Sequence, residues 1–277
     1  MNIRRMSFCD AYHNMLDNVI NKPEFITSPR GLKIKEILNA KIEITCPHYN
    51  LFKNPVRSVP KQYLANELLL YFSGRKDAQS FEKASSFWGQ IKNDDDTINS
   101  AYGNLLFTEM NENGWTEWGW AVNSLEKDKD SRQAIMHYNK PQHMVGGVKD
   151  FPCTVVSQFF IRNNNLYLTT YMRSNDIFFG VTFDFPFFLL LMQCMWLQLR
   201  DIYPNLNLGS YTHIAGSLHA YEKDFEILEQ MLDEDFEEDM MPALAVNPIL
   251  HYDIQNIMNG CELRTNDSFF KWLQANK

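Results

Sequence analysis

The run Phe185–Arg200 reads FPFFLLLMQCMWLQLR. A helix apolar on nearly every side offers no face to water and must be covered by protein or lipid. Its uninterrupted apolar part is shorter than the roughly 18 residues that a bilayer crossing requires. The sequence therefore predicts the central helix of a globular core, with Cys194 as a core thiol. A chain of 277 residues, 45% apolar, has enough material to cover such a helix. No repeat or low-complexity linker divides it, so one domain over residues 1–277 is expected. The net charge of -8 argues against a broad nucleic-acid surface, which needs a basic face. A small basic pocket for one phosphate remains compatible with it. The five cysteines are odd in number and lack paired metal spacing, so the chain reads as reduced, intracellular and cytoplasmic. The N-terminal MNIRRMSFCDAYHNM has no continuous apolar stretch of the kind a secretory signal carries.

Met1 to about Asn21 reads as a helix with Met6, Phe8, Ala11 and Met15 as a partial apolar stripe. Pro29-Arg30-Gly31 marks a loop before a strand-rich Leu32–Thr45, where Arg30 alone would be a solvated cation. Pro60 suits the first turn of a helix running to Phe72, and Gly74 suits its end. Leu64, Leu68 and Tyr71 form its stripe, and Glu67 lies beside them. Such an acid is usually a rim residue; if buried, its pKa rises and it can handle protons near neutrality. Asn111–Asp130 reads as loop plus helix, Ala134–Tyr138 and Gly209–Tyr221 as strands, and Glu222–Leu232 as a helix. The acidic run Asp233–Asp239 reads as a solvated loop, and the chain from about Met240 as short strands or loops with a final amphipathic segment.

The densest chemistry lies in FPCTVVSQFFIRNNNLYLTTYMRSNDIFFGVTFD, residues 151–184. Val155–Arg162 and Leu166–Arg173 have strand character and are separated by Asn163-Asn164-Asn165, a hairpin signal. Leu166, Leu168, Thr170 and Met172 share one face. The stretch opens on a cysteine after Pro152, ends its second strand on Arg173-Ser174-Asn175-Asp176, and closes on Asp184 between two phenylalanines. A thiol, an arginine and an acid brought close make a site for an anionic substrate. Read alone, Asp184 before Phe185-Pro186 also suits a helix N-cap.

Arg173-Ser174-Asn175-Asp176-Ile177-Phe178-Phe179-Gly180 with Phe183-Asp184 resembles the nucleotide-binding signature of the thymidylate synthase family. Pro152-Cys153, Glu67-Leu68-Leu69 with Phe72 and Gly74, Asn99–Gly103, Ser131-Arg132 and Gly216–Tyr221 are similar to further family motifs, in the family's order. The resemblance covers roughly residues 28 to 230. Thr154 after the cysteine, Met172 before Arg173, and Asp184 where synthases carry Asn resemble the deoxycytidylate hydroxymethylase branch.

The resemblance implies an α/β (α+β) fold, a mixed β-sheet flanked by helices, with two copies dimerising through the sheet's face. It implies Cys153 as nucleophile, its thiolate favoured by arginines such as Arg173, and Glu67, Tyr102 and Asp184 as further catalytic groups. Arg30 would meet the phosphate of dCMP, Arg132 that of the neighbouring subunit's site, and Arg173 and Ser174 would bind the substrate. Gln158 would face the substrate, and His219 and Tyr221 the ribose 3′-hydroxyl, although a lone histidine is more often structural. Trp88, Asp176 and Gly180 would face 5,10-methylenetetrahydrofolate. Where the family usually has a second arginine this chain has Gln133, a neutral amide in place of a fixed charge. The polar C-terminus does not resemble the apolar tail of the synthases.

Carbon 5 of a pyrimidine is a poor nucleophile until a thiolate adds at carbon 6. Asparagine matches the uracil edge, whereas a carboxyl group accepts from the cytosine amino group and, when protonated, donates to N3. The implied reaction is hydroxymethyl transfer to dCMP with tetrahydrofolate as coproduct. Methylation of dCMP, hydroxymethylation of dUMP, a ribonucleotide substrate and a catalytically idle nucleotide-binding relative are the rivals.

Overall fold

The structure is a computed structural model describing residues 1–277. In chain order its elements are β1 (Asn2–Arg5), α1 (Phe8–Asn21), β2 (Phe25–Thr27), β3 (Ile34–Ile44), β4 (Leu51–Lys53), α2 (Lys61–Phe72), α3 (Ala78–Ala84) and α4 (Phe87–Ile91). A π-helical turn at Asn104–Thr108 leads to α5 (Glu117–Lys127), β5 (Ile135–His137), β6 (Thr154–Arg162), β7 (Asn165–Met172) and β8 (Asn175–Asp176). Then come α6 (Gly180–Leu199), β9 (Asn207–Tyr221), α7 (Phe225–Leu232), β10 (Glu237–Asp239), α8 (Tyr252–Met258) and α9 (Ser268–Asn276). The contacts divide into two compact units.

The first unit comprises 1–59, 165–193 and 207–241. Its sheet is mixed: β3 runs parallel to β1 and antiparallel to β2 and β9, while β9 runs parallel to β7 and β8. The strands form where residues alternate, and Leu166, Leu168, Thr170 and Met172 are all buried. Phe8, on α1, stacks on Phe185 at 4.9 Å, and Tyr12 stacks on Phe52 at 4.3 Å. Each fully buried ring of this kind stabilises the fold by about 1.5–3 kcal/mol.

The helix expected from Met1 begins only at Phe8. Ser7 Oγ accepts from Asp10 N–H at 3.2 Å and caps it, and the residues before it pair with β3 as a strand. Met6, expected on the apolar stripe, is exposed. The acidic run is not all loop: Glu237–Asp239 pairs antiparallel with β4, and Asn54 Nδ2 donates to Met231 O at 3.0 Å just before it. The helix expected from Glu222 opens as a 3-10 turn before α7.

The second unit comprises 60–164, 194–206 and 242–277. It holds α2 to α5, the antiparallel pair β5–β6, and α8 and α9. The chain after Met240 forms helices rather than strands. Buried Asp253 accepts from the Arg264 and Thr265 amides, both at 2.9 Å, from Thr265 Oγ1 and from Asn256 Nδ2. Asp267 caps α9 through Phe269 N–H and Phe270 N–H. Asn163 and Asn164 both take left-handed φ (49° and 57°), the requirement of a two-residue turn between β6 and β7.

The apolar helix starts five residues earlier than expected, at Gly180, and is 20 residues long. It is long and apolar enough to cross a bilayer, but 83% of that window is buried inside the protein. Asp184 consequently sits within α6, and the N-cap alternative does not hold.

Candidate active site

In the second unit, α2 presents Glu67 with only 7% of its surface exposed. Burial raises its carboxyl from an ordinary 4.5 to about 7, and the hydroxyls of Tyr63 and Tyr71 pull it partly back. Both hydroxyls donate to Oε1, at 3.2 and 3.3 Å. They stand four residues either side of Glu67 and so share its helix face, a spacing visible in the sequence but not exploited there. Tyr71 stacks on Tyr102 at 5.4 Å, and Tyr102 Oη accepts from Thr154 N–H at 3.3 Å. Three contacts thus lead from the acid to the residue after Cys153. A side chain at Gly103 would bring its Cβ within 1.7 Å of the Tyr71 carbonyl oxygen, so this close approach requires glycine.

The segment carrying Cys153 is fixed at both ends. Buried Asp150 accepts from Ser100 N–H at 2.7 Å and from Ser100 Oγ, Asn99 Nδ2 donates to Asp150 O at 2.9 Å, and Asn139 Nδ2 donates to Pro152 O at 3.1 Å. None of the five cysteines forms a disulfide, and Cys153 is half-buried. Burial pushes the Cys9 thiol up to about 12 and raises that of Cys194 as well, which makes both inert. Thr154 Oγ1 is buried without a hydrogen-bond partner. Trp88 is largely buried, its ring edge-on to Phe81 at 5.1 Å. Gln158 Nε2 donates to Arg132 O at 2.9 Å, so it holds the backbone of an exposed arginine. Arg132 and Gln133 line an open cleft of about 840 Å³ with Trp115, Trp120 and Lys127.

In the first unit, β8 and the start of α6 bring Asn175, Asp176, Gly180 and Asp184 together. Asp184 Oδ2 accepts from Asn175 Nδ2 at 3.1 Å. Asp176 accepts from Phe178 N–H at 3.0 Å and Phe179 N–H at 3.3 Å, and burial raises its carboxyl. His219 is buried beside Tyr221, ring centroids 5.0 Å apart, with Nδ1 3.3 Å from Ser217 Oγ, which itself donates to Glu36 Oε1. Burial lowers its imidazole, against the pull of Asp176. Arg173 is exposed and Ser174 half-buried at the end of β7. Arg30 is exposed and holds a left-handed backbone (φ 54°) just before Gly31 (φ 80°). Sequence reasoning overlooked Arg57, whose guanidinium lies 4.1 Å from the Phe178 ring, and His213, 3.3 Å from Asn175 Nδ2.

A buried acid of raised pKa, tied through two tyrosines to a half-buried thiol segment, is what thiol addition coupled to proton transfer needs. The thymidylate synthase family model matches residues 10–260.

The chain belongs to the thymidylate synthase family.

It is therefore a one-carbon transferase with that family's α/β fold. Among its relatives, the deoxycytidylate 5-hydroxymethyltransferase of Enterobacteria phage T4 is 26% identical over 217 residues, covering 76% of this chain and 85% of the relative. The deoxyuridylate hydroxymethyltransferase of Bacillus phage SP01 is 28% identical over 279 residues, covering 89% and 68%. A putative thymidylate synthase of Methanocaldococcus jannaschii is 24% identical over 245 residues, covering 84% and 96%. The thymidylate synthase family match runs through segments of both units, including every motif on which the resemblance rested.

Proposed function

We propose that the protein is a deoxycytidylate 5-hydroxymethyltransferase, taking dCMP and 5,10-methylenetetrahydrofolate with water to 5-hydroxymethyl-dCMP and tetrahydrofolate. The observation that carries this reading is Asp184. Its carboxyl accepts from an amide nitrogen at one oxygen, and a carboxyl complements the N4 amino group and N3 of cytosine where an asparagine complements uracil. A mismatched buried polar pair costs about 1–3 kcal/mol per group, enough to choose the base.

Cys153 Sγ adds to carbon 6 of the ring, which makes carbon 5 nucleophilic. Asp184 accepts from N4–H₂ and supplies or balances the proton that N3 gains as the adduct forms. Glu67, with its carboxyl near 7, moves protons at the ring and at the incoming water. Tyr102 orients the network beside Thr154. When bound, methylenetetrahydrofolate supplies the one-carbon unit. The first unit fits a flat, amine-bearing ring: the Asp176 carboxyl is an acceptor, and the Phe179 ring next to it is half exposed. We assign Asp176, Gly180 and Trp88 to that ligand. Arg30, Arg173 and Ser174 take the phosphate and His219 and Tyr221 the ribose, while Gln158 serves by holding Arg132. Arg132 reaches the phosphate of a second copy in a dimer formed through the sheet's face. The buried, unpartnered Thr154 Oγ1 beside the nucleophile supports water, not hydride, as the terminating group. Residues 1–277 act as one catalytic domain in a cytoplasm, that of the host if the chain is viral.

The test is mass spectrometry of the product from dCMP or dUMP with methylenetetrahydrofolate, alongside absorbance at the dihydrofolate band. A gain of one CH₂O on dCMP without dihydrofolate supports the proposal. A methyl product with dihydrofolate, or turnover of dUMP in preference to dCMP, refutes it.

A further inference from the structure

Asn175 is 2% exposed, and its Nδ2 meets three acceptors: Asp184 Oδ2 at 3.1 Å, His213 Nε2 at 3.3 Å and Met172 Sδ at 2.8 Å. An amide nitrogen has two hydrogens and thioether sulfur is a weak acceptor, so the carboxyl and the imidazole claim them. His213 is fully buried on β9, stacked on Phe185 with centroids 4.4 Å apart, and its Nδ1 lies 2.7 Å from Tyr211 Oη. For Nε2 to accept from Asn175, the ring hydrogen sits on Nδ1 and is donated to Tyr211 Oη. Burial holds the ring neutral, with its pKa down at about 3, so Nε2 keeps its lone pair at any working pH.

At the other end of the amide, Asn175 Oδ1 is buried with no hydrogen-bond partner. Gly180 leaves the room for it: a Cβ there would lie 2.9 Å from Oδ1 and 3.3 Å from Asp184 Oδ2. Turning the amide over would set Oδ1 against the Asp184 carboxyl oxygen and the His213 lone pair. Two acceptors on one side therefore hold the amide in one orientation even though its oxygen is orphaned.

We infer that Asn175, locked by His213, is the positioning residue that fixes the Asp184 carboxyl and so sets discrimination between the cytosine and uracil edges. The inference rests on the reading of Asp184 given under Proposed function. An Nδ2–H at Oδ2 commits that oxygen to accepting, fixes the carboxyl plane, and leaves any carboxyl proton on the other oxygen. A tumbling amide would do none of these.

The experiment compares kcat/KM for dCMP and dUMP, with methylenetetrahydrofolate, across pH. His213→Phe keeps the ring stack and deletes the acceptor that orients Asn175. His213→Gln returns an acceptor near the position of Nε2. Asn175→Leu keeps the shape and deletes the donor. The expected result is a fall of roughly 10- to 100-fold in the dCMP/dUMP ratio for His213→Phe and Asn175→Leu, the range for losing a hydrogen bond to a charged group. The acid limb of the dCMP profile should also move to higher pH, and His213→Gln should recover most of the ratio. Retention of the ratio in His213→Phe, or in Asn175→Leu should His213→Phe fail to fold, overturns the inference. So does a loss that His213→Gln does not rescue, which would mark the role as merely structural. Asp184→Asn separates the two levels. If it leaves the ratio unchanged, the reading of Asp184 fails and the inference falls with it. If it collapses the ratio while His213→Phe does not, only the inference fails.

Discussion

Replacing Glu67 by Gln should stabilise the protein above neutrality while removing its activity. The folded state binds the Glu67 proton more tightly than the unfolded chain does, because burial raises the carboxyl from 4.5 to about 7. Stability from the protonated acid is therefore fully present below about pH 4.5 and lost as pH rises through about 7. The difference, 7 minus 4.5, is 2.5 units; at about 1.36 kcal/mol per unit this comes to about 3 kcal/mol. Glutamine keeps Oε1 as acceptor for Tyr63 and Tyr71 and cannot ionise. The assay is urea unfolding of parent and Glu67→Gln at one protein concentration from pH 5 to 8.5. The difference between the two is the quantity to read, because His213 titrates in the opposite sense and bends the parent curve. The variant's advantage should grow by about 2.5 kcal/mol from the acid to the alkaline end, because pH 5 already lies above the unfolded value. A difference that stays flat refutes the argument that this carboxyl is desolvated. In the same samples kcat/KM should fall by roughly 10²- to 10⁴-fold, and the limb near pH 7 should disappear.

Cys153→Ser should bind dCMP with little change by calorimetry yet release no tritium from carbon 5; turnover at the parent's rate would end the covalent mechanism. Thr154→Val, an isostere without the orphaned hydroxyl, should shift product from hydroxymethyl towards unfinished or methylated pyrimidine by mass spectrometry, and an unchanged product profile would remove Thr154 from the water step. Gly103→Ala must displace the Tyr71 carbonyl, since the added carbon falls 1.7 Å from it; a loss of more than about 1–3 kcal/mol is expected, read as a lowered thermal midpoint. His213 is neutral when folded, its pKa pushed from 6.5 to about 3 by burial. The unfolded chain thus binds more protons, and stability present above about 6.5 is lost as pH falls towards 3, a slope that His213→Phe should flatten in acid unfolding curves.

The sequence was most legible where one local rule sufficed. Alternation marked β7 and the buried face it presents, Pro60 and Gly74 bracketed α2, and the all-round apolar run marked α6. It was least legible where an ending depends on distant partners. Ser7 rather than the apolar stripe decides where α1 begins, and the strand before it exists only because β3 pairs with it. The helices after Met240 are tied by Asp253 to Arg264 and Thr265, more than a helix length away. For the proposed site, the motifs pointed to Cys153, Glu67 and Asp184 but not to the side chains packed around them. Tyr63 and Tyr71 were readable from helical spacing. His213 was not, since a histidine amid strand residues carries no sign of which neighbour its nitrogens will meet.

Ordinary rules of folding are broken in this chain at a few positions. An acid is buried on α2, a threonine hydroxyl and an asparagine oxygen are buried without partners, and a glycine stands where any side chain would strike a carbonyl. Each departure costs stability, and apolar or larger residues would have been better core material. Thr154 follows Cys153, Asn175 bonds Asp184, and Gly103 packs against the helix that carries Glu67, while Arg57, Asp224 and Asp267 also keep buried polar atoms without partners. For Glu67, Thr154 and Asn175 the proposed function supplies a reason, because holding a proton at neutral pH, admitting a water beside a thiol and presenting one fixed carboxyl edge would each require a polar group kept short of full satisfaction until the ligand arrives.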